Sequence, residues 1–184
     1  NSDKTGTLTL NQMMVATIYT GGSWFSVEGD GYAKTGRILS VAGAPVPDFT
    51  RLALGLVLDS DATVSDSGDV VGDPTEAALV VLAAKLGVDA EETRRAYPRE
   101  AEVPFDSEYK FMATFHRLEI DGRTRLVQLV KGGPDVVLAR CSQSGGPARD
   151  QVPLDQSRAD IEAANARMGA KGLRVLAFAA RFVD

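Results

Sequence analysis

Lys110-Phe111-Met112-Ala113-Thr114-Phe115-His116-Arg117-Leu118, then Asp121-Gly122, then Thr124-Arg125-Leu126-Val127-Gln128-Leu129-Val130 is the stretch that decides the fold. Two runs rich in β-branched and aromatic residues flank a dipeptide that tolerates positive φ, the signature of a tight antiparallel hairpin. Working outward, residues 99–105 read as a further strand on the N-terminal side. The C-terminal end, Arg174-Val175-Leu176-Ala177-Phe178-Ala179-Ala180, reads as another. Nearer the start, residues 11–19 and 23–28 form a second strand pair around Thr20-Gly21-Gly22, and residues 29–37 are a polar, glycine-rich loop.

Helices lie between these hairpins. Asp48 stands where it can cap a run over 49–58, and Asp73, Pro74 and Gly87 mark the cap, first turn and stop of another. In that second helix Leu79, Leu82, Ala83 and Leu86 fall on one face. A short charged helix is expected near 89–97, another over 133–140, and a longer one over 155–170 with Ile161, Ala164 and Met168 on one side. Hairpins outnumber strand–helix–strand alternation, so the pattern predicts an α+β domain: a mainly antiparallel β-sheet flanked by helices.

The chain has 184 residues and a formal net charge of −5, which gives no overall attraction to nucleic acid or to an anionic membrane. An anionic ligand must therefore find a local basic site. Cys141 is the only cysteine, so no internal disulfide forms, and a reducing compartment fits. His116 is the only histidine, and in an alternating strand it reads as a packed or surface side chain, not a metal ligand. No stretch reaches the roughly 18–20 apolar residues that span a bilayer, and no signal peptide is visible; the expectation is a soluble piece. The acidic segment 59–69 resembles a calcium loop only superficially. Thr63 and Val64 stand where an EF-hand needs an oxygen ligand and a glycine, so it reads as a solvated loop.

The N-terminus carries Asp3-Lys4-Thr5-Gly6-Thr7-Leu8-Thr9. A carboxylate can attack a phosphoryl group to form an aspartyl phosphate, while a neighbouring lysine and hydroxyls offset the charge that develops. The seven residues resemble the phosphorylation signature of P-type ATPases. That resemblance implies that Asp3 is the nucleophile, with Lys4 and Thr5 beside it, and that Mg2+ is held through Asp3 and Thr5 in the intact pump, with no metal site in the rest of the fragment. Related phosphatases carry an acid where Thr5 stands; its absence implies a longer-lived phosphoenzyme. Only Asn1 and Ser2 precede Asp3, so the strand that should position the nucleophile is missing, and the isolated fragment is expected neither to hydrolyse ATP nor to phosphorylate itself.

Four further stretches resemble the nucleotide-binding domain of the same family, in the family's order. In Gly72-Asp73-Pro74-Thr75-Glu76, Glu76 matches the glutamate that accepts from the adenine amino group. In Val103-Pro104-Phe105-Asp106-Ser107-Glu108-Tyr109-Lys110, Phe105 matches the aromatic that stacks on adenine, and Lys110 the lysine that reaches toward the phosphates. Ser107 and Tyr109 depart from the family pattern, where basic residues are common. In Lys131-Gly132-Gly133-Pro134-Asp135, Lys131 would line the inner end of the pocket and Gly132 would leave room for the base. In Lys171-Gly172-Leu173-Arg174, Arg174 matches the arginine that meets the phosphates, a role suited to a planar guanidinium. No P-loop sequence is present.

The resemblance implies residues 1–10 as a fragment of phosphorylation domain and hinge, 11–182 as the nucleotide-binding domain, and 183–184 as the start of the return hinge. An insertion must bring its ends together, so residues 10–13 are expected beside 178–182, on neighbouring strands. The implied ligands are ATP and Mg2+. The implied partners are the phosphorylation, actuator and transmembrane domains of one pump, with the domain on the cytoplasmic side of the membrane. The Pro-Phe-Asp-Ser-Glu and Lys-Gly-Gly-Pro segments look like the calcium-pump branch, and calcium is the expected ion. Two other readings compete: a non-enzymatic interaction domain that retains the fold, and a haloacid-dehalogenase-type phosphatase. Lys110 and Lys131 flanking Phe105 argue against the first, and Thr5 argues against the second.

Overall fold

The computed structural model describes residues 12–43, 45–146 and 149–183. Strands β1 (Thr17–Thr20) and β2 (Ser23–Val27) pair antiparallel with Thr20 opposite Ser23, which leaves Gly21-Gly22 as the turn. Both glycines have positive φ, +59° and +80°, as a type I′ turn requires at its two central positions. β3 (Ile38–Ser40) adds to the other edge of β2. At three residues it is too short to announce itself by alternation.

Helix α1 (Thr50–Leu58) follows. The Asp48 carboxylate accepts from the Thr50 backbone N–H at 2.9 Å and from its hydroxyl at 2.6 Å, so the expected capping group acts from one position further out. Short β4 (Thr63–Val64) and β5 (Val70–Val71) pair with each other. The expectation of a solvated loop over 59–69 is corrected in part: Asp59, Ser60, Ala62 and Val64 are buried, while Asp61, the tip at Ser65–Ser67 and Asp69 are exposed. The segment closes one end of the core, which periodicity in so short a run does not reveal.

Helix α2 (Pro74–Lys85) starts as read, with the Asp73 carboxylate accepting from the Glu76 N–H at 3.1 Å, and Gly87 follows at φ +87°. Its burial is wider than one stripe. Every residue from Ala77 to Ala83 is buried, because the helix has apolar clusters on two sides. Helix α3 (Ala90–Ala96) is capped by Asp89, which accepts from the Glu92 N–H at 2.8 Å.

Strands β6 (Arg99–Val103), β7 (Phe111–Ile120) and β8 (Arg123–Gly132) run antiparallel in succession. Ile120 faces Arg123 across Asp121-Gly122, both at positive φ (+52° and +77°). Then come α4 (Pro134–Leu138), a β9 (Gln143–Gly146) and β10 (Arg149–Pro153) hairpin absent from the sequence reading, and α5 (Arg158–Ala170). On α5 Ala164 is buried while Ile161 and Met168 are half-buried. β11 (Ala177–Phe182) pairs antiparallel with β8, giving a four-stranded sheet of order β11-β8-β7-β6.

The architecture is α+β with antiparallel sheets and flanking helices, as the sequence predicts. Among the described residues β11 pairs with β8 and forms an edge of the sheet; the expected neighbour over residues 10–13 lies partly outside the described residues. Residues 10 and 11 lie outside the described residues, while Met14 and Val15 share an apolar cluster with Phe178. Helix α1 lies close against β11, since a Cβ added at Gly55 would stand 2.4 Å from the Phe178 ring. Beneath α1, Leu58, Val127 and Leu129 form the apolar floor joining helix and sheet, each side chain contributing roughly 1.5–3 kcal/mol by burial.

Candidate nucleotide site

The register of the four-stranded sheet brings the sequence-predicted residues to one end. Val103, the last residue of β6, opposes Ala113, so the 104–110 connection carrying Phe105 and Lys110 lies at the end where β7 begins. There Phe111 opposes Gly132, and Met112 opposes Lys131, at the close of β8. Ala177 also opposes Gly132, so Arg174, three residues before β11, approaches the same end.

The 104–110 connection is locally determined. The Asp106 carboxylate accepts from the N–H groups of Glu108 (2.7 Å) and Tyr109 (3.3 Å), and the Asp106 carbonyl accepts from Lys110 N–H at 2.6 Å. Lys110 closes this turn in the left-handed region, φ +61°, and its carbonyl accepts from Gly133 N–H at 3.2 Å. A Cβ on Gly132 would lie 2.4 Å from the Lys110 oxygen and 2.8 Å from Phe111 Cα. The glycine is thus required for the turn to close onto β8. Above this turn Phe105 is 63% exposed, an unusual position for a large apolar ring.

The inner wall is ionic. Lys131 Nζ lies 2.8 Å from Glu76 Oε2, with the two side chains only 9% and 14% exposed. Glu76 Oε1 accepts from the Asp61 N–H at 3.0 Å, and Lys131 also reaches Met112 Sδ at 3.2 Å. Among the described residues these are two acceptors for three ammonium N–H donors. Phe105, Lys110 and Arg174 make no side-chain hydrogen bond, ion pair or ring contact among the described residues, and all three are exposed. The structure therefore joins Glu76 to Lys131 and Lys110 to Gly132. It leaves Phe105 and Arg174 presented to solvent at the same sheet end. Asp3, Lys4 and Thr5 lie outside the described residues.

Behind the ion pair, two arginines hold the exit of α1, whose last carbonyls lack helical partners. Arg94 donates to the carbonyls of Val57 and Ala62, both at 2.9 Å. Arg99 donates to those of Leu58 (3.3 Å) and Ser60 (3.4 Å) and pairs with the Asp61 carboxylate at 2.9 Å. This clamp fixes the Asp61 N–H that meets Glu76. It also fixes Asp59, which is fully buried with neither carboxylate oxygen in a hydrogen bond among the described residues. Loss of water raises the Asp59 carboxyl to about 8, although Lys131 and Arg99 pull the other way. Burial likewise lowers His116, whose Nδ1 lies 2.9 Å from the Tyr97 carbonyl and Nε2 2.9 Å from Thr114 Oγ1. His116 is a packed core side chain, as its strand position suggested.

Sequence reasoning missed Asp59, Asp61, Arg94, Arg99 and Met112. The apolar run ending at Leu58 gave a signal that the chain stays inside beyond the helix, but nothing separated Asp59 from the acidic residues after it.

The geometry places a buried ion pair, a solvent-facing aromatic ring and two exposed cations at one sheet end, and comparison with known proteins gives the family. The P-type ATPase cytoplasmic domain N family matches residues 49–184, and the chain belongs to it. The chain is 40% identical to "Cation-transporting ATPase pma1" of Synechocystis sp. over 195 aligned residues, covering 100% of this chain and 21% of that protein. It is 36% identical to human "Calcium-transporting ATPase type 2C member 1", covering 97% of this chain and 20% of that protein. With "Calcium-transporting ATPase 1" of Lactococcus lactis identity is 35%, covering 97% and 18%. The chain thus spans about one fifth of the length of these relatives. No helix among the described residues is long and apolar enough to cross a membrane.

Proposed function

We propose that this domain binds the adenine nucleotide of ATP-Mg at the β6–β7/β8 end of its sheet and presents the γ-phosphate to Asp3 in a cation-transporting pump. The observation that carries the reading is the buried Glu76–Lys131 pair at the foot of a wall whose top is the exposed Phe105 ring. An isolated buried ion pair is weak evidence for stability, so a role in recognition gives these charges a purpose. Phe105 offers its face to adenine. The Glu76 carboxylate keeps lone-pair capacity for the adenine amino group, and Gly132 supplies the close backbone approach. Lys131 has an unassigned donor for the nucleotide, and Lys110 and Arg174 supply exposed charge for the phosphates.

Among the described residues no cluster of three or more acidic, histidine or cysteine side chains is placed to hold a metal. Magnesium would travel on the phosphates and be held by Asp3 and Thr5. Asp3 would then attack the γ-phosphorus, forming its Oδ–P bond as the bond to the ADP oxygen breaks. This domain alone would bind ATP without hydrolysing it, the phosphorylation, actuator and transmembrane domains of the pump completing the cycle. Calcium is the ion favoured by the names of the relatives from human and Lactococcus lactis.

One aromatic stack with a few partly exposed polar contacts supplies about 4–5 kcal/mol, so the affinity for ATP is expected near the millimolar range. NMR titration of the chain tests this: ATP, ADP and AMP should shift Phe105, Lys131 and Gly132 alike, and GTP should shift them less. Equal shifts with GTP, or none at these residues with ATP, would defeat the assignment.

A further inference from the structure

The mechanism above makes no use of Asp59, although this is the most deeply buried carboxyl near the site. Resting on the nucleotide-site reading, we propose that Asp59 is a proton-linked positioning residue of that site. Neutral, it leaves the Lys131 ammonium to Glu76 and the nucleotide; ionised, it draws on Lys131 and lowers affinity for the nucleotide.

Hydrogen-bond chemistry supports the neutral form independently of solvation. The Tyr97 carbonyl only accepts, so it fixes the His116 proton on Nδ1. His116 Nε2 is then an acceptor, and it takes the Thr114 hydroxyl proton. The Thr114 hydroxyl is thereby spent on His116, and no hydrogen bond joins it to Asp59 among the described residues. Both Asp59 oxygens accordingly go without a donor.

The charged groups around Asp59 come from every neighbouring element. Glu76 acts on it from α2, Arg99 from β6 and Lys131 from β8, while His116 on β7 stands behind Thr114, and Arg94 on α3 and Asp61 on the exit turn stand beyond. Arg99 is already committed to Asp61 and to two carbonyls; Arg94 holds two others through Nε and Nη1, keeps a buried Nη2 without a hydrogen-bond partner among the described residues, and stands farther from Asp59. Lys131 is the cation that an ionised Asp59 can recruit, and it is the same ammonium that Glu76 holds in the nucleotide wall. Ionisation therefore moves the local charge one unit negative behind the Lys131 ammonium that faces the nucleotide.

The test is the pH dependence of ATP affinity for the wild-type chain and for Asp59→Asn between pH 7 and 9, above the range where the phosphates themselves titrate. Wild-type affinity should fall by about three- to tenfold, and the fall should disappear in Asp59→Asn. A flat wild-type profile, or equal slopes in the two proteins, overturns the proposal while leaving the nucleotide site intact. Should Asp59→Asn not fold, the 13C resonance of the Asp59 carboxyl in nucleotide-free wild type decides: a midpoint below pH 5 overturns the proposal. Absence of nucleotide binding at every pH, with the chain folded, sinks the proposed function, and this inference falls with it.

Discussion

Lys131 Nζ and Glu76 Oε2 lie 2.8 Å apart and nearly dry, tying the end of β8 to the first turn of α2. Removing one partner of such a pair strands the other charge. Lys131→Met or Glu76→Gln alone should each cost about 3 kcal/mol in chemical denaturation, and the double variant should recover most of the loss. ATP affinity should stay low in the double variant, because refilled packing does not replace an ammonium. Full recovery of both stability and binding would make the pair purely structural.

Phe105 separates binding from folding more cleanly, because its ring is mostly in solvent. Phe105→Ala should weaken ATP binding by roughly 1–3 kcal/mol while changing unfolding free energy by less than about 0.5 kcal/mol. In the intact pump the same variant should still be phosphorylated by inorganic phosphate, which needs no adenine platform, whereas Asp3→Asn should fail by either route. A large loss of stability in Phe105→Ala would mean that the ring packs against protein.

What could be read in the sequence was local. Gly21-Gly22 and Asp121-Gly122 specify their turns through their own backbone torsions, and Asp73 and Asp89 cap helices three residues away. The motif residues Glu76, Phe105, Lys110, Lys131, Gly132 and Arg174 were legible by resemblance; the sheet register gathers the last five at one end, and the ion pair with Lys131 brings Glu76 to it from α2. Long-range partners were not legible. Nothing near Arg94 or Arg99 in the chain says that they close the α1 terminus some 30 to 40 residues back. Nor does the composition of 59–69 show that Asp59 faces inward, since its burial depends on how α1 meets β7 and β8. The β9–β10 hairpin lacks apolar alternation and is held in register by backbone pairing.

Gly132 and Gly133 make a matched pair for testing backbone approach. A Cβ at Gly132 collides with backbone on two sides, whereas at Gly133 the nearest atom is the mobile Asp135 carboxylate at 3.1 Å. Gly132→Ala should therefore cost about 1–3 kcal/mol and displace the 104–110 turn, weakening ATP binding with it. Gly133→Ala should be milder on both counts. Denaturation midpoints and ATP titrations of the two variants check this, and equal effects would mean that the turn is not packed against β8.

The last prediction concerns stability and pH. Asp59 is raised to about 8 in the folded chain, against an ordinary carboxyl value near 4 when unfolded. Between these values the folded state holds a proton that the unfolded state has released, so stability falls as pH rises. The contribution is full below about pH 4, declines by up to about 1.4 kcal/mol per pH unit, and is gone above about pH 8. Asp59→Asn has no proton to lose there and should escape this decline. Normalised at pH 5, the variant should gain on wild type by on the order of 2–4 kcal/mol by pH 8. Urea denaturation of the two proteins at pH 5, 6.5 and 8 measures the difference directly. Parallel profiles would show that Asp59 is already ionised in the folded domain at pH 5, with Lys131 compensating its burial completely.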